Sequence, residues 1–382
     1  MKFLSLINIS NKDDINSDSG YIFNKILGEE LFNKNHDVIY ILPNELKNVE
    51  FFLGSKIYYA NIGTTKYECR FSFDWVGLKK IIEYEKPDYI LLNECELAVA
   101  LKALLVTINQ NDIKIISYCH YPALIVNNGF VNLDESLNDY NICERIVFDI
   151  LQSVNISDAF FIQSDFAKRL IEKASEKYNI ELKKPINVLP PPLDTYFIEY
   201  SDNFDKEPIL YNHRLYENYG TEKFINITNK YKNYHFVVAN PMPNRYKSRM
   251  FSGDFPEKAV EKLNNEDNVD IRNGSINRKI YKDIIKECCF ALAPYRSACV
   301  WSMSVIDCIS MNVPVVAPNI AFFKDFVPKE LRYNNDKEFN DILLKLKSNK
   351  DYYSTVLKKE RIKLNDLFPE SICNDFLKIL GV

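Results

Sequence analysis

Apolar residues recur along this chain in two alternating rhythms. Residues 2–9 form a short β-rich run. Residues 21–33 then place Ile22, Ile26, Leu27 and Leu31 on one helical face. The same alternation continues, with strands predicted at 38–42, 89–92, 114–119, 159–162 and 186–189. Helices are predicted at 75–84, 97–106 and 142–153, and from a Ser164 N-cap through residue 177. Strands that alternate with helices point to an α/β fold with a parallel sheet covered on both faces.

The run Pro190-Pro191-Pro192 interrupts this order, and a polar, acidic stretch, 200–207, reads as an interdomain linker. A second series starts at once. Strands are expected at 209–211, 235–239, 269–271, 290–293 and 315–317, with helices at 221–231, 278–287 and 302–311. The chain therefore reads as two doubly wound domains, 1–199 and 205–366, with a C-terminal helix, 367–382, returning to the first domain. Ligands of such sheets bind beyond the carboxyl ends of the strands, so a site is expected in a cleft that two facing sheets would form. The Lys-rich stretch 345–363 reads as a solvated helix face.

Composition narrows the function classes. A length of 382 residues suits two domains. A formal net charge of −4 implies no bulk attraction to nucleic acid or anionic lipid. Nine cysteines, scattered and without a CxxC pair, read as buried thiols in a reducing compartment. No apolar stretch reaches the roughly 18 residues of a spanning helix. The first ten residues are too short for a secretory signal. The expected location is the cytoplasm.

The most informative segment is 297–318, SACVWSMSVIDCISMNVPVVAP. A strand end, a loop and a helix beginning near Ser302 would present free N–H groups of Ser302 and Met303 to a phosphate. Asp307, in the second turn, is placed to accept hydrogen bonds from ribose hydroxyls. This segment resembles the donor motif of retaining GT-B glycosyltransferases of family 4. Aligned on Pro314-Val315-Val316, the second Glu of the motif falls on Asp307 and the first on Cys299, with Trp301 at the aromatic position and Ser302 at the glycine. Cys299, Val300 and Trp301 then lie at the donor sugar, where a thiol lacks the hydrogen-bonding power of a carboxylate.

A second match is ILYNHRLYENYG, 209–220. Arg214 falls on the family arginine that grips the diphosphate and Gly220 on its glycine, but Tyr219 stands where a lysine is expected. Arg245, Lys247 and Arg296 are the loop cations at hand to restore that charge. Asp270-Ile271-Arg272-Asn273-Gly274-Ser275 fits a base-binding loop, with Gly274 and Ser275 near the base. In the first half, Gly20 in the loop after the first strand matches a family glycine near the diphosphate. His120 matches a histidine that contacts the donor sugar, and Asn93 and Glu94 end a strand facing the acceptor.

The resemblance implies a GT-B fold and transfer of a sugar from a nucleotide-sugar, UDP- or GDP-linked, to an acceptor hydroxyl. Retention, no metal and no cofactor are implied, with Arg214 and His120 as the catalytic pair. The acceptor is open: a glycan, a lipid-linked sugar or a nucleobase. Asn212-His213-Arg214 also resembles glycosyltransferases that act on modified nucleobases of DNA or tRNA. A sugar-nucleotide epimerase and a non-catalytic binding subunit are the further alternatives. Oligomeric state is not indicated.

Overall fold

The structure, a computed structural model, describes residues 1–9, 15, 18–46, 54–62, 66–127, 130–133, 143–241, 254–274, 276–293 and 296–382. The chain divides into two units: Met1–Pro192 with Leu367–Val382, and Leu193–Asp366.

The first unit runs β1 (Lys2–Leu6), α1 (Ser19–Asn33), β2 (Asp37–Pro43), β3 (Lys56–Ala60), α2 (Lys66–Phe71), α3 (Trp75–Glu85), β4 (Tyr89–Leu92) and α4 (Ala98–Thr107). It continues with β5 (Lys114–Cys119), β6 (Leu124–Asn127), β7 (Phe130–Leu133), α5 (Cys143–Ile156), β8 (Ala159–Ile162), α6 (Asp165–Tyr178) and β9 (Ile186–Val188). Its seven-stranded sheet has the order β3-β2-β1-β4-β5-β8-β9, with every pairing parallel. Near-continuous apolar strands require helices on both faces. Leu4, Leu6, Ile39, Ile41, Ile90 and Leu92 pack on one side against Leu78 and Ile82 of α3 and Leu101 and Leu105 of α4. On the other side Phe23 of α1 lies 4.1 Å from the Tyr118 ring.

The second unit runs β10 (Ile209–Tyr211), α7 (Thr221–Lys230), β11 (Phe236–Pro241), α8 (Phe255–Asn264), β12 (Val269–Gly274), α9 (Arg278–Lys286) and β13 (Phe290–Leu292). It ends with α10 (Met303–Ser310), β14 (Val315–Pro318), α11 (Ala321–Phe326), β15 (Arg332–Tyr333), α12 (Asp336–Ser348) and α13 (Lys350–Leu364). The sheet order is β12-β11-β10-β13-β14-β15, again parallel throughout. The last helix, α14 (Pro369–Leu380), returns to the first unit, where Phe376 meets Phe3 and Phe161 at 6.1 and 5.3 Å. Among the described residues, no helix is long and apolar enough to cross a membrane.

Several expectations change. The stretch 200–207 is no linker, because its polar groups are used inside the second unit. Asn203 is fully buried and donates to the Met311 carbonyl (3.2 Å), while Glu199 N donates to Ser310 O (3.0 Å). Residues 193–199 likewise belong to the second unit. Gly20 lies not in a loop but in the first turn of α1, which Asp18 caps. Residues 270–274 are strand β12 rather than a loop, and Ser275, Arg245 and Lys247 lie outside the described residues. The sequence reading passed over β3, α2, α8, α11, β15, most of α12 and the β6–β7 hairpin. The hairpin had a signal in Asn128-Gly129 between two apolar runs.

One core residue carries a pH dependence. Glu360 of α13 is fully buried. Its Oε1 accepts from Val315 N at 3.2 Å, and its Oε2 has no partner among the described residues. Burial pushes this carboxyl well above its ordinary value of 4.5, so the folded state holds it neutral. The unfolded chain ionises it near 4.5. The stability it contributes is therefore full below that value and declines as pH rises toward the folded pKa. Glu360→Gln should flatten the fall in urea midpoint between about pH 5 and about pH 8 and raise it at the upper end. An unchanged slope contradicts this reading of Glu360.

Candidate functional site

The strand orders place the crevices. In the first unit the chain reverses direction across the sheet between β1 and β4, and in the second between β10 and β13. Loops leaving neighbouring strands at such a reversal part to opposite faces and leave room for a ligand.

At the carboxyl edge of the second unit, β10 continues into Asn212-His213-Arg214. Asn212 is buried, and its Nδ2 donates to the Tyr281 hydroxyl (2.6 Å) and to Ser304 O (3.3 Å). The Tyr281 hydroxyl donates to Asp307 Oδ2 at 3.2 Å. This chain ties the end of β10, α9 and the first turns of α10 together. Asp307 is buried rather than an exposed helix carboxylate. Burial, and then nearby Asp194, push its carboxyl up to about 7, against the Tyr281 hydrogen bond and Arg278. Arg278 is itself ion-paired with Asp194 and lies over the rings of Tyr196 (5.1 Å) and Phe197 (5.2 Å). Tyr281, Asp194 and Arg278 escaped the sequence reading, since their roles arise only where α9 meets α10.

The His213 Nδ1 accepts from Arg214 N at 2.9 Å. Burial, then Arg296 and Arg214, hold His213 well below its ordinary basicity, so it is neutral and its proton sits on Nε2. Arg214 is half-buried at this edge. The Tyr219 ring is buried, 4.1 Å from the His213 ring and stacked on Tyr216 at 5.5 Å. Gly220 has a φ of +72°, a left-handed conformation that glycine adopts without strain, and it opens α7.

The loop 296–302 uses its side chains on itself. The buried Cys299 thiol lies 3.5 Å from Trp301 O, and burial pushes it up to about 11, which leaves it protonated and unreactive. Val300 is buried. Trp301 packs on Phe322 (4.6 Å) and Phe326 (5.8 Å), and its Nε1 donates to Met303 Sδ. The Cys299 and Val300 side chains are not presented to a sugar, and the Cys299 backbone is used internally, its N donating to Arg296 O (3.2 Å) and its O accepting from Phe322 N (3.0 Å). Ser302 holds the N-cap position of α10 but does not cap it, because its hydroxyl pairs with Ser304 Oγ at 3.0 Å. The first N–H groups of α10, from Met303 on, therefore lack a side-chain cap. Gly274 ends β12 opposite Pro241 of β11.

At the carboxyl edge of the first unit, Asn93, Glu94 and His120 follow β4 and β5. Asn93 Oδ1 accepts from Asn24 Nδ2 (2.9 Å), which also donates to Gly20 O (2.8 Å). Asp18 accepts from Gly20 N (2.9 Å) and Tyr21 N (3.1 Å), so the Gly20 amide that the sequence offered to a diphosphate already has an anionic partner. Arg70 of α2 binds Glu96 and reaches Glu94 at 3.4 Å. Burial pushes the Glu94 carboxyl up; Arg70 opposes this, while Glu96 and Asp18 add to it. His120 lies against Tyr118 (4.5 Å) and Phe23 (5.5 Å), and neither ring nitrogen has a hydrogen-bond partner among the described residues. Burial, and then Arg70, push it down to about 3. Both nitrogens are buried, so this neutral imidazole keeps one acceptor and one donor unused. Among the described residues, no group of three or more His, Cys, Asp or Glu side chains is arranged to hold a metal ion.

No family model matches this chain, and no curated protein matches it in sequence. Solved structures do match in shape. Sucrose-phosphate synthase from Thermosynechococcus elongatus superposes with a TM-score of 0.77 at 14% identity, covering 100% of this chain and 98% of that one. Anabaena HepE in complex with UDP-glucose gives 0.70 at 10% identity, covering 100% and 99%. The catalytic domain of starch synthase IV from Arabidopsis thaliana, bound to ADP and acarbose, gives 0.69 at 12%, covering 100% and 98%. The fold is thus the GT-B fold of glycosyltransferases, with two Rossmann-like units.

Gly20 supplies a direct test of the first-unit edge. A Cβ built on it falls 2.7 Å from both Asn93 amide atoms, closer than side chains tolerate. Gly20→Ala should displace Asn93, break its bond to Asn24 and cost about 1–3 kcal/mol of stability by urea unfolding. A loss below about 0.5 kcal/mol contradicts this packing.

Proposed function

We propose that this chain is a glycosyltransferase that takes a sugar from a nucleoside-diphosphate sugar. The observation that carries the reading is the arrangement beyond β10 and β13. There a helix start without a side-chain cap, a buried carboxyl at Asp307 and the guanidinium of Arg214 gather at one topological reversal. Phosphates favour the first, ribose hydroxyls the second and a leaving diphosphate the third.

In this reading Arg214 and the amides of Ser302 and Met303 hold the diphosphate, Asp307 the ribose, and Gly274 at the end of β12 the base. The loop from Cys299 to Trp301 lines the sugar. UDP- and GDP-linked sugars are the expected substrates, and no separate cofactor is required. In the first unit His120, Asn93 and Glu94 offer hydrogen bonds suited to sugar or acceptor hydroxyls. The acceptor oxygen bonds to the anomeric carbon as the carbon–phosphate oxygen bond breaks. The bonding pair leaves with the diphosphate, whose oxygen takes the acceptor proton. Fixed cations and N–H groups neutralise that charge without a metal, and transfer on one face retains configuration. HepE was solved with UDP-glucose and starch synthase IV with ADP, so similar folds accommodate such ligands.

A thermal-shift panel of UDP-, GDP- and ADP-sugars tests this. A donor at about a hundred times its Kd should stabilise the protein by about 2.7 kcal/mol. Asp307→Ala should remove most of that shift while the protein stays folded. With Asp307 pushed up to about 7, ribose binding to its ionised form should release protons near neutral pH, and Asp307→Asn should abolish the release. A folded protein that no nucleotide-sugar stabilises contradicts the proposal. Binding with neither transfer nor hydrolysis leaves a binding subunit in place of an enzyme.

A further inference from the structure

Tyr219 occupies the place where the motif resemblance calls for a second cation, and the structure shows what stands on it. The Arg296 guanidinium, from the loop between β13 and α10, lies 4.8 Å from the centre of the Tyr219 ring. That ring is buried and held on its other contacts by Tyr216 and His213, so it forms a fixed platform. A planar guanidinium over an aromatic face keeps its N–H edge free for an anion, and the stacking narrows its rotamers. Arg296 is half-buried, and no carboxylate pairs with it among the described residues.

The neighbours complete the picture. The Nδ1 of His213 is occupied by Arg214 N, which leaves Nε2–H as a donor. Arg296 and Arg214 both weaken the basicity of His213, so two guanidiniums flank one imidazole. The loop of Arg296 leads directly into the uncapped start of α10, and Cys299 N donates to Arg296 O at 3.2 Å within it. This cluster presents the His213 imidazole N–H and the positive charge of Arg296 at one edge. A hydroxyl or a sugar needs acceptors as well as donors. A phosphoanhydride, with several anionic oxygens, needs only donors.

The geometry points to Arg296, seated on Tyr219, as the second diphosphate-binding cation of this unit, paired with Arg214. The aromatic residue does not leave the site short of charge; it moves the charge to another loop. This inference rests on the reading of the second unit as a nucleoside-diphosphate-sugar site, and it adds the residue pair that sets selectivity for diphosphate over monophosphate.

Calorimetric titration of the full chain with UDP, ADP and GDP, each beside its monophosphate, tests it. For whichever base binds, Arg296→Gln should weaken the diphosphate at least about tenfold and the monophosphate less than about twofold. Arg296→Lys should recover part of the loss, because charge returns without the planar fork. The double variant Tyr219→Lys with Arg296→Gln should regain diphosphate selectivity by supplying the charge from the other loop. An Arg296→Gln protein that keeps the wild-type ratio of diphosphate to monophosphate affinity, or that loses both equally, overturns the inference while the nucleotide reading stands. Wild-type protein that binds none of the nucleotides overturns that reading and this inference with it.

Discussion

Both faces of a parallel sheet lie under helices, so polar chemistry is confined to the strand ends, and in each unit one pair of strand ends is set apart. Between β1 and β4, and again between β10 and β13, the strand order turns outward in both directions. Several polar groups of functional interest follow one of those strands or its neighbour. Asn93, Glu94 and His120 extend β4 and β5, while Asn212, His213, Arg214 and Arg296 extend β10 and β13. The buried apolar strands below them fix these positions to within the rigidity of the core.

The two edges differ in electrostatic character. The edge of the second unit gathers cations and N–H groups around an uncapped helix start, and Asp307 there is buried and held by Tyr281. That environment suits a polyanion attached to a ribose. The edge of the first unit balances its charges internally, with Arg70 between Glu94 and Glu96 and Asp18 capping α1. What it leaves unpaired is a buried, neutral imidazole with one donor and one acceptor.

The sequence already shows those features that depend on local pattern. The strands at 89–92, 114–119, 159–162 and 209–211 coincide with β4, β5, β8 and β10, because short apolar runs bounded by polar residues admit few other readings. Ser164 caps α6 through its own side chain, a contact three residues away. The linker was misread because Asn203 and its neighbours look solvent-loving, yet Asn203 donates to Met311 O and Ser201 O accepts from Asn312 Nδ2 just past α10. Arg70 and Glu94 are far apart in sequence and meet only through the fold. The lysine missing at Tyr219 was visible. Arg296 is one of three cations the sequence offers in its place, and its contact with the Tyr219 ring emerges only in the fold. At Cys299 the motif could not show that the side chain is buried and bonded within its own loop.

The central claim is that the strand ends at β10 and β13 receive a nucleoside diphosphate. Hydrogen–deuterium exchange with and without saturating UDP, ADP or GDP tests this most directly. The account predicts slowed exchange of amides in 212–216 and 298–307 and little change in β3, α4 or α14. Protection concentrated away from those two segments, at a nucleotide concentration shown to saturate binding, contradicts it.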